Sequence, residues 1–398
     1  MNRTRVAIIG STGSIGRQAL EVAREHPDVF DVVALAAGRS AGLLAEQAAE
    51  FQPEVVCLTG ANAPDTADSD ARAKLERGSW EFLRGEPALE AVAALPQADV
   101  ILVASSGRVA MPATLAAVGA GKDVALANKE SLVIAGELVT REAARTGARL
   151  FPVDSEHSAI WQCLFGEDAT SIRRLLLTAS GGPFRATPAA EMASITVEQA
   201  MAHPTWQMGP KITVDSATLM NKGLEAIEAR WLFDVGLDRI EIVVHPRSIV
   251  HSLIEFVDGS LKAQLGWPDM KLPIQLALTK GKRLIRHDPF TRPFDLTRLG
   301  ALQFEAPDMD RFPCLRLAID AGQQGGTAPA VLSAADEIAV EWFLRGELAF
   351  MDIPRVVRAA LDAHTPEPVH SLDQLLEVDR RARETAVLAC RRMVKPRS

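Results

Sequence analysis

Two carboxylates one residue apart, Asp154 and Glu156, stand in the run Phe151-Pro152-Val153-Asp154-Ser155-Glu156-His157. Side-chain oxygens at i and i+2 can reach a common point, which is how a hard divalent cation takes ligands from protein. Downstream, Ser216, Asn221, Lys222 and Glu225 fall within one short stretch. If the chain is helical from Lys222, then Lys222 and Glu225 share a face. They make either a plain intrahelical ion pair or, with Ser216 and Asn221, a phosphate cradle beside a third carboxylate. The run Ala179-Ser180-Gly181-Gly182-Pro183-Phe184 offers a hydroxyl and backbone N–H groups that suit an anion, or a plain turn. Lys129, in Asn128-Lys129-Glu130-Ser131-Leu132, projects into a ligand crevice if it closes a strand of an open sheet, and is a solvated loop lysine otherwise.

Such residues need a scaffold. Residues 5–9 read as a short buried strand that leads into Gly10-Ser11-Thr12-Gly13-Ser14-Ile15-Gly16 and then a helical pattern over 17–25. Strand, glycine turn and helix make the phosphate-binding unit of a Rossmann domain. Glycines let the backbone approach a pyrophosphate, which sits on free N–H groups at the positive end of the helix dipole. The spacing is G-x-x-G-x-x-G and not G-x-G-x-x-G, so a turn with no ligand competes with this reading. The second strand, 31–36, ends in Ala37-Gly38-Arg39-Ser40. No acidic residue stands where a ribose 2′-hydroxyl is held. Arg39 and Ser40 stand there, and a guanidinium suits a 2′-phosphate by charge and fork geometry, which favours NADPH over NADH. Strands follow at 54–58, 99–104, 123–127 and 149–153, the last delivering Asp154 and Glu156 to the sheet's carboxyl end. Residues 59–85 are polar and predict a loop and a helix.

The pattern then changes. Residues 173–178 predict a strand. Residues 199–210, with His203-Pro204, Trp206 and Gly209-Pro210, are not a helix interior. Trp206 there is a core anchor or a cover over a ligand. Residues 241–244, 252–257 and 260–265 alternate as strands, with Asp258-Gly259 as a hairpin signal. His245 and His251 flank them at a spacing that matches no compact zinc motif and are assigned to the core or a sheet edge. The stretch 283–312 predicts a long connection, and helical patterns cover 314–321, 328–345, 354–363 and 371–394. The expected fold class is α/β: an N-terminal Rossmann-like domain (1–151), a central α+β catalytic domain with a mainly antiparallel sheet (152–285), a connecting linker (286–312) and a C-terminal helical bundle (313–398).

Length and composition agree with several domains, at 398 residues. The net charge of -8, with both signs scattered, carries no basic stripe and excludes a nucleic-acid footprint. Cys57, Cys163, Cys314 and Cys390 form no C-x-x-C and fit buried thiols in a reducing compartment. The stretch before the first apolar run leaves no room for a signal peptide, and no apolar run reaches bilayer length. A cytoplasmic protein with no membrane or nucleic-acid partner is expected.

Taken together the motifs resemble the 1-deoxy-D-xylulose 5-phosphate reductoisomerase family along essentially the whole chain. The carrying stretches are GSTGSIG (10–16), ANKESL (127–132), PVDSEH (152–157), SGGPF (180–184), HPTWQMG (203–209), KITVDSATLMNKGLE (211–225) and QLGWPDM (264–270). DSEH and NKGLE at this separation are the most specific. The resemblance implies a step of non-mevalonate isoprenoid synthesis, in which a sugar phosphate is isomerised and then reduced by NADPH to 2-C-methyl-D-erythritol 4-phosphate. By the same resemblance Asp154, Glu156 and Glu225 bind Mg²⁺ or Mn²⁺, with Co²⁺ a further candidate. Ser180, Ser216, Asn221 and Lys222 hold the substrate phosphate, and Lys129, Ser155 and Glu156 face the reacting oxygens. Lys129 and the three carboxylates are then the catalytic set, with Lys129 and Glu225 also counted as substrate contacts. His203 and Trp206 belong to a flap over the substrate. Thr12, Gly13, Ser14, Ile15, Gly38, Arg39, Ser40, Asn128, Lys129, Glu130 and Gly209 contact the nucleotide. The resemblance also implies a homodimer formed through the central domain.

Two places depart from the family pattern. A second strand that often ends A-G-K-N ends here Ala37-Gly38-Arg39-Ser40, and N-A-A-N-E appears as Ser333-Ala334-Ala335-Asp336-Glu337. Two other readings stay open on residues alone. One is an NADPH-dependent reductase without an isomerase step, which needs fewer carboxylates and no phosphate cluster. The other is an NADP(H)-sensing protein whose helical tail binds a partner.

Overall fold

The computed structural model describes residues 3–60, 69–202, 208–285 and 294–394. The chain begins with β1 (Thr4–Ile9), α1 (Ser14–Glu25), β2 (Phe30–Ala37), α2 (Ala41–Phe51), β3 (Val55–Leu58), α3 (Ser69–Arg77) and β4 (Glu81–Arg84). It continues through α4 (Ala88–Ala93), β5 (Val100–Val103), α5 (Ala110–Gly119), β6 (Asp123–Leu126), α6 (Lys129–Thr146) and β7 (Leu150–Pro152). The seven strands pair in parallel in the order β4-β3-β2-β1-β5-β6-β7. Runs such as Val100–Val103 are fully buried, as a sheet covered on both faces requires. The order reverses between β1 and β5, the switch point where such sheets bind ligands.

The polar stretch expected to hold a loop and a helix also holds β4. That strand is four residues of half-exposed edge, too short for its periodicity to register in the sequence.

The remaining elements are α7 (Ser155–Cys163), β8 (Ile172–Ala179), α8 (Val197–Met201), α9 (Pro210–Thr218), α10 (Met220–Phe233), β9 (Ile240–Val244), β10 (Val250–Phe256), β11 (Leu261–Leu265) and α11 (Lys271–Leu278). They are followed by α12 (Leu296–Leu299), α13 (Pro313–Gln324), α14 (Ala328–Leu344), α15 (Ile353–Asp362) and α16 (Leu372–Met393). The second sheet has the order β11-β10-β8-β9. β10 is antiparallel to both neighbours, and β8 runs parallel to β9, so the sheet is mainly antiparallel as expected.

The chain folds into two compact units. The first comprises Met1–Ser131, Val139–Ser158 and Asp269–Pro293, and the second Leu132–Leu138, Ala159–Pro268 and Phe294–Ser398. These differ from the boundaries expected from sequence. Residues 152–158 stay with the parallel sheet. α11 does too, where Lys271 pairs with Glu21 at 2.8 Å and Glu25 at 3.2 Å on α1. The four C-terminal helices share one apolar core with α10 and β8. Gly223 lets α10 and α13 approach, because a Cβ there would lie 2.3 Å from that of Ala318. Of the expected linker, residues 286–293 lie outside the described residues. The rest carries α12 and an antiparallel bridge from Glu305 to Val244 at the free edge of β9.

Candidate active site

The first unit closes its β1–α1 turn on glycines that meet backbone closely. Gly10 has φ +91°, and a Cβ on it would sit 2.6 Å from the Ser105 nitrogen. A Cβ on Gly16 would sit 2.2 Å from the Gly10 oxygen. Gly13 caps α1 without any side-chain bond, so the first-turn N–H groups of Ser14 and Ile15 face outward. Thr12 is half-buried beside them. At the end of β2, Gly38, Arg39 and Ser40 are all exposed, and the Ser40 hydroxyl does not cap α2.

The β6–α6 loop is tied down by Asn128. Its amide donates to the carbonyls of Ser105 at 2.9 Å and Gly107 at 3.1 Å and to Glu130 Oε2 at 2.9 Å, while its oxygen caps α6 through the Ser131 N–H. Asn128, Lys129 and Glu130 are at most 8% exposed. From this loop the Lys129 ammonium reaches 2.7 Å from Asp154 Oδ2, just past the end of β7. Asp154 Oδ1 accepts from the Ser155 N–H at 3.1 Å, and the Ser155 hydroxyl bonds the Glu156 carboxylate. Glu156 lies in the first turn of α7, where a negative charge is favoured. His157 is fully buried, 4.0 Å from Asp154. The strand predicted to deliver the carboxylates does so, and Lys129 meets Asp154 within the same unit.

In the second unit, Ser180 follows β8, and its hydroxyl accepts from the Gly182 N–H at 3.2 Å. Gly181 and Gly182 have φ +83° and +68°. A Cβ on Gly182 would lie 2.7 Å from the Ser216 carbonyl, so the glycine turn rests on the end of α9. Leu219, at φ +60°, breaks α9 from α10. Asn221 and Lys222 fall in the first turn of α10, and both bond the Glu225 carboxylate, one oxygen each. Lys222 and Glu225 are 4% and 1% exposed. The intrahelical pair is therefore present, in the same unit as Ser180 and Ser216, the serines read as a phosphate cradle. Gly209 is exposed at the start of α9. His203 and Trp206 lie outside the described residues.

His245 and His251 are both buried, as a place in the core or at a sheet edge requires. His245 is wholly buried with Nδ1 2.8 Å from the Gln303 oxygen. Burial pushes the His251 imidazole down to about 4 and keeps it neutral near pH 7. Sequence reasoning missed a buried group: Lys211 bridges Asp215 and Asp336, 2.6 and 3.0 Å away. Only the i, i+4 spacing of Lys211 and Asp215 could have hinted at it.

A glycine cradle at a parallel sheet's switch point, an exposed arginine after the second strand and a lysine–carboxylate cluster at the strands' carboxyl ends define the class of Rossmann-fold dinucleotide-dependent enzymes. Family profiles sharpen the assignment. Residues 6–136 match 1-deoxy-D-xylulose 5-phosphate reductoisomerase, 150–233 its C-terminal domain and 265–385 the DXP reductoisomerase C-terminal domain. The 1-deoxy-D-xylulose 5-phosphate reductoisomerase of Pelotomaculum thermopropionicum is 50% identical over 388 residues, 97% of this chain and 98% of that one. The Zymomonas mobilis reductoisomerase solved with NADPH superposes with a TM-score of 0.88 at 42% identity, covering 98% of this chain and 99% of its own. A DOX-P reductoisomerase solved with NADPH, fosmidomycin and magnesium gives a TM-score of 0.91 at 41% identity, covering 98% of each chain. This chain belongs to the 1-deoxy-D-xylulose 5-phosphate reductoisomerase family.

Proposed function

We infer that this chain converts 1-deoxy-D-xylulose 5-phosphate to 2-C-methyl-D-erythritol 4-phosphate, using NADPH and a divalent metal ion. The observation that carries the reading is the buried Lys129 ammonium held 2.7 Å from Asp154 at the carboxyl end of the nucleotide-type sheet. A reductase with no isomerisation step has little need of that cluster.

The residues present fit both groups. Gly10 and Gly16 let the turn pack against backbone at the N-terminus of α1, which suits a pyrophosphate there, and Arg39 is exposed where a 2′-phosphate falls. Thr12, Gly13, Ser14, Ile15, Gly38, Arg39, Ser40, Asn128, Lys129, Glu130 and Gly209 are the proposed nucleotide contacts. Asp154, Glu156 and Glu225 are the proposed metal ligands, an all-oxygen set suited to a hard cation. When bound, the ion polarises the sugar carbonyl and NADPH supplies the hydride.

The chain's own groups do the rest. The Lys129 ammonium donates to a reacting sugar oxygen, and the Ser155 hydroxyl orients its neighbour. Ser180, Ser216, Asn221 and Lys222 hold the phosphate. Lys222 has three donors, so it can serve Glu225 and a phosphate together. Binding energy from that remote phosphate is available to orient the sugar at the reacting centre.

Magnesium is the proposed ion, with manganese or cobalt as substitutes, since a magnesium-bound relative shares this fold. The parallel-sheet unit is the proposed nucleotide-binding part, and the mixed sheet of the second unit the proposed dimerisation surface. A homodimer is supported by the open edge strand β11, next to which Val257 and Leu261 are 68% and 56% exposed. A cytoplasmic setting is supported by four buried, unbridged cysteines. No helix among the described residues is long and apolar enough to cross a membrane.

NADPH absorbance followed with 1-deoxy-D-xylulose 5-phosphate, with and without Mg²⁺, tests the reading. Metal-dependent loss of NADPH in the wild type, largely abolished in Glu225→Gln, is expected. A folded, NADPH-binding wild type that oxidises nothing would overturn it.

A further inference from the structure

We propose that Asp336 is a positioning residue for the sugar phosphate: with Lys211 it clamps Asp215 on α9 and so sets Ser216, the next residue, toward the ligand. The inference rests on the reading of Ser216 as a phosphate contact.

The clamp joins distant parts of the second unit. Asp215 is on α9 and Asp336 on α14, and the two are 1% and 0% exposed. The Lys211 ammonium lies 2.6 Å from Asp215 Oδ2 and 3.0 Å from Asp336 Oδ2. Two buried carboxylates against one ammonium leave a surplus negative charge, which a buried site does not tolerate. Asp215 Oδ1 and Asp336 Oδ1 also lack a hydrogen-bond partner among the described residues. A proton held between the two carboxyls removes the surplus charge and supplies a donor. In agreement, burial and the adjacent Asp336 hold the Asp215 carboxyl well above the usual carboxylate range, against the opposing pull of Lys211. Cys314, on α13, faces the same two acids.

The clamp fixes more than helix packing. Ser216 presents its carbonyl to the Gly182 turn and so to Ser180. The α9–α10 break that follows at Leu219 sets Asn221 and Lys222. A shift of α9 therefore moves the whole proposed phosphate cradle, while the glycine turn at Gly10–Gly16 is built from other elements.

Steady-state kinetics of four variants test the inference, each checked for fold by circular dichroism. Asp336→Ala opens the clamp and is expected to raise KM for the sugar phosphate by about 10- to 100-fold, with KM for NADPH moved far less, because Gly209 at the N-cap is the one proposed nucleotide contact that α9 carries. Asp336→Asn is expected to restore a KM near the wild type, because the amide donates to Asp215 Oδ1 in place of the shared proton. Should Asp336→Ala fail to fold, Lys211→Met opens the same clamp and must show the same split. Folded Asp336→Ala or Lys211→Met with a wild-type KM, or KM values for both substrates rising by the same factor, would overturn the proposal, as would Asp336→Asn behaving like Asp336→Ala. Ser216→Ala separates the underlying reading. If it leaves KM for the sugar phosphate unchanged, the phosphate assignment falls and takes this inference with it. If it raises KM while the clamp variants do not, only the inference falls.

Discussion

The Lys129 ammonium and the Asp154 carboxylate meet 2.7 Å apart, one carried by the first residue of α6 and the other by the loop after β7. Their side chains are 8% and 16% exposed. Water screens such a pair weakly, and deleting one partner strands the other. Lys129→Met is expected to lower kcat by roughly 100- to 1,000-fold, the scale of losing one preorganised donor to a reacting oxygen. Asp154→Asn should raise the Mg²⁺ concentration needed for half-activation by at least ~10-fold. Wild-type kcat in folded Lys129→Met, read by NADPH absorbance, would remove the lysine from the reaction.

Arg39 is exposed after β2, where no acidic residue stands. Arg39→Ala is expected to raise KM for NADPH by about 10- to 100-fold, the worth of a charge-assisted hydrogen bond to phosphate. NADH, lacking the 2′-phosphate, should be used no worse than before. Equal losses with both nucleotides would show that Arg39 is not the discriminating group.

Gly16 has the least room of the phosphate-turn glycines, with a Cβ falling 2.2 Å from the Gly10 oxygen. That atom is backbone and cannot swing aside. Gly16→Ala should cost about 1–3 kcal/mol of stability through forced backbone shifts. It should also weaken NADPH binding, which fluorescence titration measures. An unchanged melting temperature with unchanged affinity would mean that α1 can slide without consequence.

All four cysteines are buried. Burial pushes the Cys57 thiol up to about 12, and those of Cys163 and Cys390 to about 11. Cys314 is raised well above its ordinary value by burial and by the charges of Asp336 and Asp215. A raised thiol pKa means that little reactive thiolate exists until the pH approaches that value. At pH 8 the native chain should therefore release almost no chromophore from an aromatic disulfide reagent, and four equivalents after unfolding. A thiol that reacts rapidly in the native chain would contradict the assignment.

Much of this arrangement was legible as local pattern. The glycine turn between β1 and α1 is short-range chemistry. So is the helical register behind α14, expected over 328–345 and found at Ala328–Leu344. Lys222 and Glu225 share a helix face because the helical repeat makes i and i+3 neighbours wherever the helix goes. Asp258-Gly259 marks a hairpin because glycine readily adopts the φ of +86° found there.

What the sequence determined by itself was the class of each segment and the residue types at each strand end: a nucleotide turn without an acidic 2′-hydroxyl partner, two carboxylates after a strand, and a serine–asparagine–lysine–glutamate group leading into a helix. The tertiary structure alone decided which of these touch. It placed Lys129 on Asp154, returned α11 to the first unit through Lys271, merged the C-terminal helices into the core of α10, and set Asp336 against Lys211 and Asp215. The physical reason is range. Periodicity and turn chemistry act over a few residues and leave a mark in the sequence. A buried ion pair between distant elements instead depends on how whole helices and sheets pack, and no local pattern records it.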